Sequence, residues 1–173
     1  GIIGDQYPSP VRMLTHCEQV VHDYLIQEMC AGKPKLHGKY DLFAVEGGTA
    51  AMCYIFDSLV ANGLLKKGDR IALGVPVFTP YLEIPELDKY QFKVTYLHGS
   101  AQDKEGNSNF QSPEEELDKL GDKSIKAFLV VNPSNPTSVE ICDKCRKYLV
   151  KVVKNLNPNL IVLTDDVYGT FVE

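Results

Sequence analysis

Two periodicities alternate along this chain. Apolar runs of strand length stand at 41–45 (DLFAV), 70–75 (RIALGV), 92–97, 127–131 and 160–164. Between them lie longer stretches in which apolar residues return every three or four positions, the spacing of a helix face. The first such stretch, VRMLTHCEQVVHDYLIQEMC, puts Met13, Cys17, Val20, Val21, Tyr24 and Leu25 at helical spacing, and Gly32 is placed to close the helix. A second helix is expected after Gly47 and Gly48, with Ala51, Ile55, Phe56 and Leu59 toward a core and Asn62-Gly63 at its end. Residues 77–87 read as a loop leading into a short helix. Ser112 is expected to cap the next one, with Pro113 in its first position, Glu115 completing a capping box and an end near Leu120. A last helix is expected over 139–154.

Strand and helix alternating at this spacing predict an α/β fold: a three-layer sandwich whose mostly parallel sheet is covered by helices on both faces. The chain shows no internal repeat and no low-complexity linker, so residues 1–173 read as one domain. Its 44% hydrophobic content is ample for a buried core.

Charge and cysteine usage narrow the function classes. A formal net charge of −5, with basic residues scattered rather than clustered, offers nothing to nucleic acid or an acidic membrane. No apolar run reaches membrane-span length, and GIIGDQYPSP lacks the charged start and apolar centre of a signal peptide, so a soluble cytoplasmic protein is expected. Five cysteines, an odd number, suit reduced thiols. Cys142 and Cys145 form a C-x-x-C inside an expected helix, without the second pair that a zinc site needs. His16 and His22 fall on different helical faces and make no metal pair.

The chemistry gathers where the strands end. Parallel strands bring their carboxyl-end loops to one edge of the sheet, beside the amino ends of the helices that follow. Four such loops are polar, glycine-rich or aromatic: Gly47-Gly48-Thr49, Pro76-Val77-Phe78, Asn132 to Ser138 (NPSNPTS), and Asp165-Asp166-Val167-Tyr168. Taken singly, each is an ordinary turn. The Gly-Gly-Thr turn suits an anion at a helix start, yet it is neither a Walker loop nor the G-x-G-x-x-G of dinucleotide folds. Taken together, they hold a place for a phosphate, a ring face at Phe78, hydrogen-bond donors at Asn135 and Tyr168, and a carboxylate for a protonated ring nitrogen. Pyridoxal 5'-phosphate makes these demands. A non-catalytic nucleotide-binding module and a purely structural domain are the competing readings.

Five motifs in order, Y-P near the start, G-G-T-A-A, P-V-F, N-P-S-N-P-T and D-D-V-Y, resemble the fold-type I pyridoxal-phosphate enzymes of the aspartate aminotransferase superfamily. The resemblance implies that Gly48 and Thr49 bind the cofactor phosphate and that Phe78 stacks on its ring. It further implies that Asn135 and Tyr168 bond the ring oxygen and that Asp165 pairs with the pyridine nitrogen. Tyr7 resembles the tyrosine that reaches across a dimer interface to the other subunit's cofactor phosphate, although Pro10-Val11-Arg12 stands where the superfamily has a glycine. Ser138 likewise replaces the glycine usual after N-P-T.

Within the superfamily, GIIGDQYPSPVRML and EGGTAAM are most similar to the aspartate 4-decarboxylases, which also transaminate aspartate. That likeness implies L-aspartate as substrate, L-alanine and carbon dioxide as products, and a homodimer or an assembly of dimers. Another class I or II aminotransferase is the alternative within the same fold. The superfamily's Schiff-base lysine lies beyond the D-x-x-Y segment, and Lys126 and Lys151 stand in no matching context. Residues 1–173 are accordingly expected to be a partial large domain, inactive by themselves, with the strand at 41–45 left as an orphan edge.

Overall fold

The computed structural model describes residues 15–29, 41–100 and 109–171. By internal contact the chain divides into two units, 1–47 and 48–173. In the first, helix α1 spans Thr15–Met29. Val20 and Tyr24, expected on a packed stripe, are exposed. Met13, Gly32 and Tyr7 lie outside the described residues. The apolar run at 41–45 is not a strand. A strand exists only where a neighbour completes its hydrogen-bond ladder, and among the described residues this run carries no ladder.

The second unit is a four-stranded, wholly parallel sheet in the order β2-β1-β3-β4, formed by β1 (Arg70–Val75), β2 (Lys93–His98), β3 (Ile125–Val131) and β4 (Ile161–Asp165). The central strands β1 and β3 are the most continuously apolar, as strands buried on both faces must be. Side chains alternate across the sheet. Ile71, Leu73, Ala127, Leu129 and Val131 pack on one face with Met52 and Phe56 of α2 (Gly48–Ala61) and with Tyr81 of the short α3 (Pro80–Glu83). Ala72, Phe128 and Leu97 pack on the other with Leu117 of α4 (Glu114–Leu117) and Val152 of α5 (Asp143–Leu156). Helices on both faces of a parallel sheet give the three layers expected.

Three local expectations shift. Ile55 on α2 is exposed, and Met52 and Phe56 carry the buried face. At α4 the carbonyl of Pro113 accepts from Glu116 N and Leu117 N, which makes Pro113 the cap. Ser112 therefore lies outside the helix, its carbonyl facing the Cys145 thiol at 3.6 Å, and the capping box does not form. Helix α5 starts at Asp143 rather than 139. Residues 139–142 are tied elsewhere: Ile141 N donates to Asn132 Oδ1 at 2.8 Å and Cys142 N to Gln111 Oε1 at 2.9 Å. Cys142 is consequently the N-cap of α5, not an interior residue.

Candidate functional site

Strand order places the site. The chain leaves β1 for β2 on one side and then crosses back to β3 on the other, so the switch point lies between β1 and β3. The loops after these two strands are joined there, Ser134 Oγ donating to Pro76 O at 3.3 Å. The loop after β3 is also fastened to β4, since Asn132 N donates to Asp165 O at 2.9 Å. Within that loop Ser134 N donates to Val139 O, and Ser138 N to Ser134 O. Asn132 thus has a scaffolding task, while Asn135 stands half-buried at the bend between these bonds.

Asp165 is the last residue of β4. Ile161 and Leu163, at the same parity along the strand, pack toward the α2 face, and Asp165 continues that side. Its Oδ2 accepts from the hydroxyl of Tyr81 at 2.6 Å, a short charge-assisted bond. Its Oδ1 accepts from Val167 N at 3.1 Å. Among the described residues, no cation forms an ion pair with it. Asp166 belongs to the other parity and accepts from Thr164 Oγ1 at 2.8 Å. Two adjacent carboxylates are thereby sent to different surroundings.

Tyr81 is 1% exposed. Burial, reinforced by the bond to Asp165 and that residue's charge, raises its phenol far above the ordinary range. It therefore remains a hydrogen-bond donor. Its ring meets Phe78 edge-on, with centroids 5.8 Å apart and planes at 88°. Phe78 keeps 39% of its surface open to solvent.

Helix α2 points its amino end at the same place. Gly47 has φ of +111°, a conformation that favours glycine, and Gly48 and Thr49 open the helix. A Cβ on Gly48 would stand 3.5 Å from Tyr81 Oη and 3.9 Å from Asp165 Oδ2. The first N–H groups of a 14-residue helix, which have no partner within the helix, and a carboxylate with no ion pair among the described residues thus lie side by side.

The structure brings together Gly48, Tyr81 and Asp165, and reaches Phe78 through Tyr81. Asn135 stands on the adjoining loop. Tyr168 follows Asp165 in the next turn, 41% exposed. Tyr81 itself was not among the residues the sequence singled out. The signal available was its place three residues after Phe78 behind a helix-starting Pro80, which sets the two rings on one side of a turn. A separate cavity of about 60 Å³ opens by Pro76, Gln111, Ser134 and Cys145. It reaches none of Gly48, Tyr81 and Asp165, and is too small for a molecule of cofactor size.

Comparison with known proteins decides the family, because residues 30–173 match the family described as aminotransferase class I and II. The chain belongs to that family. It is similar, at 49% identity over all 173 residues, to a bifunctional aspartate aminotransferase and L-aspartate beta-decarboxylase of Pseudomonas sp.. It spans 32% of that relative's length. Among solved structures it resembles the aspartate aminotransferase of Rhizobium meliloti, with a TM-score of 0.68 at 19% identity over 95% of this chain and 37% of that one. It also resembles cystalysin of Treponema denticola, which contains pyridoxal 5'-phosphate, with a TM-score of 0.61 at 16% identity over 93% of this chain and 36% of that one. At such identities the two structures speak for the fold.

Class I and II aminotransferases are pyridoxal-phosphate proteins, and the donor set here fits that group. An anion has the start of α2, a protonated ring nitrogen has Asp165, and a flat ring has the open aromatic Phe78. The missing Cβ of Gly48 leaves the approach between helix and carboxylate clear.

Proposed function

We propose that this chain is the cofactor-binding part of a pyridoxal-phosphate enzyme that acts on L-aspartate, removing the β-carboxylate to give L-alanine and carbon dioxide and also transaminating. The carrying observation is Asp165, a carboxylate at a strand end with no ion pair among the described residues, held by Tyr81 beside the amino end of α2. The 49% identity to a protein that carries both activities in its name supports the narrower substrate assignment.

Gly48 and Thr49 bind the phosphate with backbone and hydroxyl donors, helped by the helix dipole. Phe78 lies against the ring, Asn135 and Tyr168 bond its oxygen, and Asp165 holds the proton on its nitrogen. Tyr7 is assigned to the phosphate of a partner subunit in a homodimer. When bound, pyridoxal phosphate supplies an electron sink for the carbanion left by proton or carboxylate loss. The residues here bind, orient and polarise it.

The lysine that links to the cofactor and moves the substrate proton is assigned to residues that follow in a longer catalytic domain. Three of the described lysines have contacts of their own. Lys126 Nζ donates to Lys123 O at 3.0 Å, Lys151 lies over the Tyr148 ring at 5.8 Å, and Lys89 pairs with Asp57. The whole protein, supplied with pyridoxal phosphate, is expected to show a visible absorbance band and to release carbon dioxide and alanine from aspartate without added keto acid. Oxaloacetate formed only when a keto acid is present would reassign it as a plain aminotransferase. Absence of the band would overturn the cofactor reading.

A further inference from the structure

The C-x-x-C of residues 142–145 takes no part in the cofactor site, and the fold changes what it can do. In a helix interior, two cysteines at this spacing are ordinary packing residues. Here Asn132 and Gln111 draw residues 139–142 away, so that Cys142 is the N-cap of α5 and Cys145 stands in its first turn. We propose that Cys142 and Cys145 are a dithiol–disulfide site, at which the Cys142 thiolate attacks a low-molecular-weight disulfide and Cys145 resolves the adduct into an intramolecular disulfide.

The geometry divides the two roles. Cys142 is exposed, as an attacking thiol must be, and its sulfur folds back over the helix start, where Cys145 N donates to it at 3.4 Å. Burial works against ionisation there, but the N–H and the thiol of Cys145, with the N–H and the charge of Lys144, outweigh it and hold the Cys142 thiol below its ordinary range. The positive end of a 14-residue helix acts in the same sense. Cys145 is half-buried, its thiol facing Ser112 O at 3.6 Å. Burial, then the side chain and charge of Cys142, push it up to about 11. Cys142 is therefore the sulfur that reacts first. Once it is a neutral mixed disulfide, its charge no longer opposes ionisation of Cys145, so the first step prepares the second. Cys145 also lines the cavity of about 60 Å³ beside Gln111 and Ser134, which gives its side chain space to turn toward Cys142.

The exchange needs only the disulfide R–S–S–R as oxidant. Cys142 gives its proton to solvent and its sulfur bonds one sulfur of R–S–S–R, while the other leaves as a thiolate and takes up a proton. Cys145 then loses its proton and attacks the Cys142 sulfur, expelling the second thiolate. The two protein thiols are oxidised, and R–S–S–R is reduced to two R–SH. Among the described residues, no group of three or more His, Cys, Asp or Glu is placed to hold a metal ion, so the pair is not part of a metal site there. Cys17 belongs to α1 and Cys53 to α2, and neither shares this turn.

The test uses the full-length parent protein, incubated folded with oxidised glutathione at neutral pH. Free thiols are then trapped with iodoacetamide and the peptides spanning 142–145 are weighed. The wild type is expected to lose alkylation at both cysteines together and to become two hydrogens lighter, with dithiothreitol restoring both thiols. Cys145→Ser is expected to stop at a stable glutathione adduct on Cys142. In Cys142→Ser, which keeps a good N-cap, Cys145 is expected to react about tenfold more slowly than Cys142 does in the wild type. Wild-type protein whose two cysteines both stay alkylated in excess oxidised glutathione, or end as two separate glutathione adducts, would overturn the proposal. So would a Cys142→Ser protein whose Cys145 reacts as fast as Cys142 of the wild type. Should a variant not fold, the wild type decides alone: a disulfide that forms only in denaturant, and not in protein with native far-ultraviolet dichroism, would overturn the proposal as well.

Discussion

Among the described residues, two buried tyrosines donate to an aspartate at the same distance. Tyr81 reaches Asp165 at 2.6 Å, and Tyr90 reaches Asp57 at 2.6 Å. Their surroundings differ. Asp57 faces solvent from α2 and is shared with Lys89, whose Nζ stands 2.9 and 3.0 Å from its two oxygens. The bond from Tyr90, then that from Lys89, hold the Asp57 carboxyl below its ordinary range. Tyr90 has a second acceptor in Cys53 O at 3.1 Å. That cluster is closed, with charge balanced and donors used. The Tyr81–Asp165 pair lacks a cation among the described residues and faces the start of a helix across a glycine. One bond length therefore serves a finished structural contact in the first case and an unfinished site in the second. Among the described residues, a cation on Asp57 and none on Asp165 separates them.

The widest separation between the pairs should come from deleting the carboxylates in the full-length parent. Asp165→Ala is expected to cost on the order of 2–5 kcal/mol of cofactor binding, the usual loss when one member of a desolvated, hydrogen-bonded charge pair is removed. Asp57→Ala should leave cofactor binding unchanged and lower stability by roughly 1–2 kcal/mol, since it loses the Tyr90 hydrogen bond along with a half-exposed ion pair. Asp166→Ala should resemble Asp57→Ala. Equilibrium dialysis of the cofactor and denaturant unfolding report the two quantities separately. Equal losses of cofactor from Asp165→Ala and Asp166→Ala would break the comparison by showing that strand parity does not select the ligand.

Gly48 gives the next effect in size. Because a Cβ there meets Tyr81 Oη at 3.5 Å and Asp165 Oδ2 at 3.9 Å, ordinary contact distances, Gly48→Ala should fold normally. Gly48→Val adds two branches in the space between helix and carboxylate. It is expected to reduce cofactor affinity by roughly 1–3 kcal/mol, the usual cost of overfilling a packed space, with the melting temperature little changed. Retention of full affinity by Gly48→Val would place the cofactor elsewhere.

The sequence made one member of each site pair legible and hid the other. Asp165 and Gly48 stand out because polar or glycine-rich residues at strand ends break an apolar pattern; the family resemblance singles out Asp165 over Asp166, and the parity of β4 sends the two apart. β1 falls on the residues expected of it, and β2, β3 and β4 lie within two. Tyr81 was hidden because an aromatic in an apolar stretch reads as core, which it also is; its bond spans 84 residues, beyond any local spacing rule. The run at 41–45 was misread for a related reason, since strand formation depends on partners that periodicity does not name. The start of α5 depended on Asn132 and Gln111 side chains bonding Ile141 and Cys142, again contacts from distant sequence. Local pattern found elements and edges, and long-range hydrogen bonds decided caps and the second member of each pair.

The smallest effect is also the one that tests the closed pair most directly. Burial, then the bond to Asp57, push the Tyr90 phenol up to about 12, with Lys89 acting in the opposite direction. An unfolded tyrosine ionises near ~10. A group whose folded value is raised contributes stability in full below the unfolded value and loses it as pH rises through the folded one. The contribution of Tyr90 is therefore complete at pH 8 and disappears between about 10 and 12. Tyr90→Phe should be less stable than the wild type at pH 8, by roughly 1 kcal/mol for one exchanged hydrogen bond, and the difference should close toward pH 12. Denaturant midpoints of both proteins across that range give the comparison. A difference that persisted undiminished at pH 12 would overturn this account, because an ionised Tyr90 has no proton left to donate to Asp57 or to Cys53 O.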